Sequence, residues 1–212
     1  MKKPVVKICC ISSKQEAQAT IELGASAIGL VSHMPSGPGV ISEQLIAEIA
    51  ASVPVNIDTS LLTSLQNAEK IIAQHRRCTT TAIQLVDDVS ISDIKQLTCT
   101  LPKIDLVQVI HVTGEAAVQK ATGIAPYVDA LLLDSGDPAL NVKELGGTGR
   151  THNWKISRKI VQTIAMPVYL AGGLNPQNIM EAIRCVNPYG VDVCSGLRTN
   201  GELNRKKATR FF

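Results

Sequence analysis

A thiol at the end of the first apolar segment is one residue that could transfer a proton. Cys9 ends the segment Val5–Cys9, and Lys7 stands two residues before it. Alternate side chains of a β-strand share a face, so Lys7 and Cys9 point inward while Ile8 suits the outside. A cation near a thiol favours the thiolate, which can accept a proton. Cys9 is therefore a candidate base, with a small buried hydrophobic residue as the alternative, and Cys10 is expected to point the other way and pack.

A carboxylate ends a second apolar segment. The run Leu131–Leu133 is followed by Asp134 and Ser135. An aspartate at this position can also be a turn former or a helix N-cap. If both segments are strands of one parallel barrel, Cys9 and Asp134 lie at the same rim. A thiol and a carboxylate at one rim can together remove a proton from carbon and protonate oxygen.

Three glycine-rich segments could supply backbone amides to a phosphate. They are Gly146–Thr151, Ala171–Leu174 and Cys194–Gly196. The last two directly follow the final two predicted strands, where barrels often bind phosphate on backbone N–H groups. A simple turn into a helix capped by Asn175 is the alternative for the second. The candidate substrate- or phosphate-binding residues are Lys7, Gly147, Gly149, Gly172, Gly173, Ser195 and Gly196.

Short β-branched apolar segments alternate with helical patterns along the chain, which is typical of repeated βα units. The predicted strands are Val5–Cys9, Ala27–Val31, Val53–Ile57, Ala82–Leu85, Leu106–Val112, Val128–Asp134, Pro167–Ala171 and Val191–Val193. The predicted helices are Ser13–Leu23, Ser42–Ala51, Ser64–Gln74, Ser90–Leu97, Gly114–Thr122, Trp154–Ile164, Asn175–Val186 and Glu202–Phe211.

Eight such units predict an α/β fold, a single-domain (β/α)8 TIM barrel over residues 1–212. An open doubly wound sheet is the structural alternative. The first strand is followed by Cys10-Ile11-Ser12-Ser13 and not by the glycine pattern of a dinucleotide site. The count of units and this missing pattern favour the closed barrel.

Composition excludes several classes of protein. A net charge of +3 from 21 basic and 18 acidic residues is too even for a nucleic-acid surface. No apolar run reaches the roughly 20 residues of a membrane span, and Lys7 interrupts the N-terminal apolar segment after two valines. Six cysteines in a chain of 212 residues fit reduced thiols in the cytoplasm. No metal site is predicted from ligand spacing, and the choice between a monomer and a homodimer stays open.

Read together, the motifs resemble those of the phosphoribosylanthranilate isomerase family in order and spacing over nearly the whole chain. The matching segments are Lys7-Ile8-Cys9, Leu133-Asp134-Ser135, Gly147-Thr148-Gly149-Arg150-Thr151 with Trp154, Leu170–Pro176 and Gly190–Gly196.

The resemblance implies a (β/α)8 barrel that converts an aminoaldose to an aminoketose in tryptophan biosynthesis, without a cofactor. It implies that Asp134 is the general acid that opens the sugar ring and that Cys9 is the base that takes the C2′ proton. It also implies a phosphate held by amides around Gly172, Gly173, Ser195 and Gly196, under a loop formed by residues 147–151. The expected partner is thus a small phosphorylated sugar.

The chain departs from the family pattern at the other end of the expected substrate. The family's Ser-Pro-Arg after the second strand, whose arginine meets the anthranilate carboxylate, is replaced by Pro35-Ser36-Gly37-Pro38-Gly39. His33 and Arg198 are the candidates to replace that cation. The family's usual glycine after the catalytic cysteine is Cys10, and its Gln-Leu-His-Gly is Gln84–Asp87 here.

Three functions therefore stay open. The first is phosphoribosylanthranilate isomerisation, and the second is isomerisation of a different phosphosugar amine, suggested by the missing arginine. The third is a non-catalytic barrel that binds a phosphorylated ligand, since a fold alone does not fix a function.

Overall fold

In the computed structural model, which describes residues 3–212, eight parallel strands close into a barrel. The strands are β1 (Val5–Ile8), β2 (Ala27–Val31), β3 (Asp58–Thr63), β4 (Ala82–Leu85), β5 (Asp105–His111), β6 (Ala130–Asp134), β7 (Val168–Leu170) and β8 (Gly190–Val193). Each strand pairs with the next, and β1 pairs with β8 as well as with β2. The predicted (β/α)8 fold is therefore confirmed, and the open sheet is wrong.

A helix follows each strand and covers the outside of the barrel. The helices are α1 (Lys14–Glu22), α2 (Glu43–Ser52), α3 (Ala68–Cys78), α4 (Ile91–Thr100), α5 (Ala116–Ile124), α6 (Trp154–Thr163), α7 (Ile179–Val186) and α8 (Arg205–Phe211). Ser13, Ser42 and Ser90 cap α1, α2 and α4, each side chain accepting a bond from an amide of the first turn. Residues 1 and 2 lie outside the described residues.

The third strand is not the predicted segment. Residues 53–57 were chosen for their β-branched side chains, but Val53 follows α2 directly and Pro54–Asn56 form an exposed turn. Val55 is fully exposed at 104%. The strand begins at Asp58, and its Thr59 is buried although it is polar. A proline within an apolar run is a sign against a strand, and it decides the structure here.

Other element bounds also differ from the prediction, and α7 begins at Ile179, four residues after the predicted Asn175. Helix α3 begins at Ala68, four residues after the predicted Ser64, because the Asn67 side chain caps it by accepting from the Lys70 amide. A short antiparallel pair, β9 (Arg198–Thr199) and β10 (Glu202–Leu203), precedes α8, where the predicted helix began at Glu202.

Apolar side chains form separate layers on the two faces of the barrel. Ile8, Leu30 and Leu61 belong to the outer layer between strands and helices. Cys9, Leu62 and Leu132 belong to the inner layer. This alternation confirms that Cys9 faces inward and Ile8 outward. No helix within residues 3–212 is long and apolar enough to cross a membrane.

The corrected position of β3 predicts different effects of two substitutions to alanine, one at a buried residue and one at an exposed residue. Leu61→Ala empties a fully buried site and is expected to lower the free energy of unfolding by about 2–5 kcal/mol. Val55→Ala changes an exposed side chain and is expected to stay within about 0.5 kcal/mol of the unsubstituted protein. Denaturant unfolding measures both. A cost at Val55 comparable with that at Leu61 would place the strand at residues 53–57 after all.

Candidate active site

A cavity opens at the carboxyl-terminal ends of the strands. Cys9 and Asp134 both line it, so the structure brings the proposed base and acid to one site. Gly147, Gly149, Gly172, Gly173 and Ser195 also line the cavity. Lys7 and Gly196 do not.

The thiol of Cys9 is held against the floor of this cavity. The Cys9 amide donates to the Val193 carbonyl at 2.8 Å, which extends the pairing of β1 with β8 by one residue. A Cβ on Gly29 of β2 would lie 2.7 Å from Cys9 Sγ. Gly29 therefore provides the space that the thiol occupies. Sequence reasoning missed this glycine, although a glycine within a strand is a sign of close approach.

Lys7 is part of a buried ion pair one layer below Cys9. Its Nζ lies 2.8 Å from Asp192 Oδ2 on β8 and 2.6 Å from Gln84 Oε1 on β4. Burial lowers the pKa of Lys7, but the Asp192 carboxylate and, to a lesser degree, Cys9 raise it to a net value above the ordinary one. Lys7 does not line the cavity, although both of its acceptors do, so contact between Lys7 and a substrate stays a prediction.

Gln84 and Asp192 were not singled out in the sequence, yet both line the cavity. Each lies at an inward position of its strand and is nearly fully buried. Oδ1 of Asp192 has no hydrogen-bond partner among residues 3–212. The alternation in Gly190–Val193 places a carboxylate inside the barrel, and this was the available sign, since a buried charge needs a partner such as Lys7.

Asp134 is the last residue of β6, and its surroundings shift the pKa of its carboxyl group in opposite directions. Burial has the largest effect on the pKa of Asp134 and raises it. Hydrogen bonds from Ser135 and the electrostatic effect of the nearby His111 lower this pKa, and the Asp192 carboxylate raises it. The net pKa lies above the ordinary value. The Ser135 amide donates to Asp134 Oδ1 at 2.7 Å. A carboxyl group with a raised pKa keeps its proton to higher pH and is suited to general-acid catalysis.

Cys10 lies next to Cys9 inside the barrel mouth, so the prediction that it points away is wrong. Its φ of 62° is in the left-handed region, where glycine is the usual residue. This turn places the Cys10 side chain in the inner layer and on the cavity wall. Hydrogen bonds with Cys194 and Cys9, together with burial, raise the pKa of Cys10 well above its usual range. Cys10 therefore stays a thiol.

Free backbone amides mark one end of the cavity. Gly172 and Gly173 have φ of 81° and 61°, and Ser195 and Gly196 begin a short 3-10 helix. Within the described part of the chain, none of these four N–H groups donates to a backbone or side-chain acceptor. Successive unpaired amides of this kind form a concave site for an anion.

The loop after β6 covers the amide end of the cavity. A Cβ on Gly173 would lie 2.6 Å from the Arg150 carbonyl carbon, so the loop backbone rests on this glycine. Gly149 lies beside Ser195, whose Oγ would be 3.6 Å from an added Cβ. Burial lowers the pKa of His152, behind Gly172, to about 4, so its ring is neutral at physiological pH.

The opposite end of the cavity is apolar. Met34, Pro38, Leu62, Val86 and Leu145 line it. Over the described range 3–212, no lysine, arginine or histidine belongs to the cavity wall. This end can therefore accept an apolar ring, but it offers no side-chain cation to a carboxylate.

Neither predicted replacement for the missing arginine reaches the cavity. His33 is exposed and lies outside the lining. Arg198 is buried and donates to both Glu16 carboxylate oxygens at 3.0 Å, as well as to the Cys10 carbonyl. Burial raises the pKa of Glu16, but Arg198 and two backbone amides lower it to a net value below the ordinary one. Arg198 therefore anchors the β9–β10 segment to α1.

No group of three or more histidine, cysteine, aspartate or glutamate side chains in the described residues has the arrangement of a metal site.

The family model and the curated relatives agree on one family. A family model described as N-(5'phosphoribosyl)anthranilate (PRA) isomerase matches residues 6–212. The chain is 38% identical to N-(5'-phosphoribosyl)anthranilate isomerase 2 of Methanosarcina mazei, over 97% of this chain and 91% of that protein. It is 34% identical to the isomerase of Haloferax volcanii, over 98% of this chain and 90% of the relative.

Solved structures agree in fold. The phosphoribosyl anthranilate isomerase of Thermotoga maritima superposes with a TM-score of 0.84 at 26% identity, covering 99% of this chain and 97% of that one. A second structure is the isomerase in complex with reduced 1-(o-carboxyphenylamino)-1-deoxyribulose 5-phosphate. It has a TM-score of 0.82 at 24% identity, covering 99% of this chain and 96% of that one.

Because Lys7 and Asp192 are a buried ion pair, replacing Lys7 alone should lower the free energy of unfolding more than replacing both residues. Lys7→Met leaves the Asp192 carboxylate buried without its cation and is expected to cost about 3–5 kcal/mol of unfolding free energy. Lys7→Met combined with Asp192→Asn removes both charges and is expected to recover a large part of that loss. Guanidinium unfolding at neutral pH measures the three proteins. An equal loss of unfolding free energy in the single and double variants would mean that the loss does not come from an unpaired Asp192 carboxylate.

Proposed function

The chain belongs to the N-(5'-phosphoribosyl)anthranilate isomerase family, and from this premise we propose that Cys9 and Asp134 are the base and acid of its isomerisation. The reaction converts phosphoribosylanthranilate, an aminoaldose, to an aminoketose in tryptophan biosynthesis. The observation that carries the assignment is that both side chains line one cavity between free backbone amides and an apolar wall.

The first step of the proposed reaction is ring opening. Asp134 donates its proton to the ring oxygen of the ribose as the bond between that oxygen and C1′ breaks. The nitrogen lone pair forms the C1′–N double bond, which gives a Schiff base with a free hydroxyl group. The raised pKa of Asp134 supports this role, because a fraction of the carboxyl group stays protonated closer to neutral pH.

The second step is proton removal from carbon. Cys9, as thiolate, takes the proton from C2′, and the electron pair forms the C1′–C2′ double bond while the C1′–N double bond closes onto nitrogen. The resulting enolamine tautomerises to the ketone: the C2′ hydroxyl gives its proton to the Asp134 carboxylate, and the Cys9 thiol gives its proton to C1′, so both groups return to their starting forms. C2′ is oxidised and C1′ is reduced within one molecule, so the balance needs no external oxidant, reductant or cofactor.

We assign the substrate phosphate to the amides of Gly172, Gly173, Ser195 and Gly196. The unpaired N–H groups support this assignment, since an anion satisfies donors that the chain leaves free. Gly147 and Gly149, in the loop over this end, are proposed to close on the phosphate. We assign the aromatic ring to the apolar wall around Leu62 and Leu145, as expected from its side chains.

A second candidate substrate is a different phosphosugar amine that lacks a carboxylate on its ring. The absence of a cation from the cavity wall, over residues 3–212, favours it. The proton transfers at Cys9 and Asp134 would be unchanged, and only the group at the apolar end would differ.

Replacing either proposed proton-transfer group should remove the activity without unfolding the protein. We expect Cys9→Ala and Asp134→Asn each to lower kcat on freshly prepared phosphoribosylanthranilate by about 10²–10⁴-fold. Cys99→Ala is the matched control, because Cys99 is an exposed thiol on α4 and its loss should leave kcat unchanged. The assay follows product formation by the purified proteins, with complementation of a strain that lacks the isomerase.

Stability separates a chemical role from a folding defect in this experiment. A carboxyl group whose pKa is raised by folding destabilises the folded state where it ionises, and this penalty disappears below its unfolded pKa of about 3.9. Asp134→Asn should therefore be more stable than the wild type at neutral pH, with a gain that fades in acid. Full activity of Cys9→Ala would contradict the assignment of Cys9 as base, whereas no turnover by the wild type would favour a non-catalytic phosphate-binding barrel.

The missing cation gives a separate prediction about substrate affinity. Pro38→Arg, at the exposed rim of the apolar end, should lower KM for phosphoribosylanthranilate by about tenfold through a charge-assisted bond to the carboxylate. The analogue phosphoribosylaniline, which lacks the carboxylate, should show no change. Gly37→Arg is the less favourable position, because Gly37 has a φ of 102°. An unchanged KM for both substrates would mean that the missing cation at this end does not limit the affinity for phosphoribosylanthranilate.

A further inference from the structure

We propose that Thr148 and Ser135 form a hydrogen-bond chain from the loop over the cavity to Asp134, which determines which carboxylate oxygen carries the proton. Neither residue is proposed to touch the reacting atoms, so both are positioning residues. The inference rests on the proposed role of Asp134 as the acid and adds to it the means by which the loop orients that acid.

The distances describe a continuous chain. Ser135 Oγ lies 2.7 Å from Thr148 Oγ1 and 3.4 Å from Asp134 Oδ1. The Ser135 amide donates to the same Oδ1 at 2.7 Å. At its other end, Thr148 Oγ1 accepts from the Arg150 amide at 3.2 Å.

The carboxylate acceptor indicates a direction for these bonds. Oδ1 of Asp134 accepts from the Ser135 amide and from the Ser135 hydroxyl, so we assign the hydroxyl hydrogen of Ser135 to this bond. Ser135 Oγ then accepts from the Thr148 hydroxyl, whose oxygen in turn accepts from the Arg150 amide. Every hydroxyl in the chain thus donates towards the carboxylate.

This direction reserves Oδ1 for accepting and leaves the proton to Oδ2. Oδ1 has two lone pairs in the plane of the carboxyl group, and both accept from Ser135, so the proton of the acid is assigned to Oδ2. Among the described residues no group donates a hydrogen bond to Oδ2, and the atom lies beside the loop backbone, 2.9 Å from the position of a Cβ on Gly146. Oδ2 is therefore the oxygen that delivers the proton.

The same loop also contacts the free amides, which couples the two ends of the site. Arg150 rests on Gly173, and Gly149 lies beside Ser195. A phosphate bound at Gly173 and Ser195 would hold the loop, and the loop would hold Thr148 against Ser135. Orientation of the acid then depends on occupation of the phosphate end.

The test compares a variant of similar shape that lacks the Thr148 hydroxyl with a variant that keeps it. Thr148→Val removes the hydroxyl, and we expect kcat to fall about tenfold with a smaller change in KM. Thr148→Ser keeps the hydroxyl and should stay within about twofold of the wild type. Ser135→Ala removes the next link and should lower kcat at least as much as Thr148→Val.

The pKa of Asp134 can be measured directly by titration. This pKa would not change if Thr148 and Ser135 had a purely structural role. Hydrogen bonds from Ser135 lower the Asp134 pKa, so weakening them in Thr148→Val or Ser135→Ala should raise it, whereas Thr148→Ser should leave it unchanged. The carboxyl carbon of Asp134 can be followed by NMR in ¹³C-aspartate-labelled protein without substrate. His111 on β5 and Asp192 on β8 also act on this carboxyl group, and both are the same in every variant.

The possible outcomes separate this inference from the proposed function. Lower kcat and a raised Asp134 pKa in Thr148→Val, both restored in Thr148→Ser, support the hydrogen-bond chain. An unchanged Asp134 pKa in both Thr148→Val and Ser135→Ala overturns it, even if the wild type is an active isomerase. A wild type without isomerase activity overturns the proposed function, while the titration still reports whether the hydroxyls act on Asp134.

Discussion

One buried ion pair, between Lys7 of β1 and Asp192 of β8, constrains how the barrel closes. These strands form the seam where the sheet closes on itself, and the Lys7 ammonium also reaches Gln84 on β4. A charge inside a barrel is tolerated only with close partners, so the pair requires one register between β1 and β8. That register carries Cys9 past the end of β1 to the Val193 carbonyl, and it sets Ser195 beside the same cavity.

Much of the fold could be predicted from the sequence because most strands carry their own local signals. The segments at Ala27–Val31 and Ala82–Leu85 are continuously apolar or nearly so, and they form strands with those bounds. The prediction of the third strand was wrong because the core-facing positions of the actual strand include Thr59 and Thr63, which are buried yet polar. Local preference favoured the more β-branched residues 53–57, and the partners that satisfy buried hydroxyl groups exist only in the folded barrel.

The site could be predicted as far as it follows from strand ends, and no further. Cys9, Asp134 and the glycines of the last two loops lie on one cavity because parallel strands share an edge. The partners of Lys7 and the direction of Cys10 could not be predicted. The first depends on a long side chain reaching across the barrel to Gln84, and the second on a left-handed φ outside any regular element. Arg198 is bound by Glu16, a contact between residues far apart in sequence.

We propose that Cys9 and Asp134 act on one bound phosphosugar. A crystal structure of this protein with reduced 1-(o-carboxyphenylamino)-1-deoxyribulose 5-phosphate would measure this directly. We expect the phosphate on the amides of Gly172, Gly173 and Ser195, Cys9 Sγ facing C2′, and Asp134 Oδ2 within about 3 Å of the former ring oxygen. A ligand bound with C2′ turned away from Cys9, or with its phosphate elsewhere, would contradict this proposal.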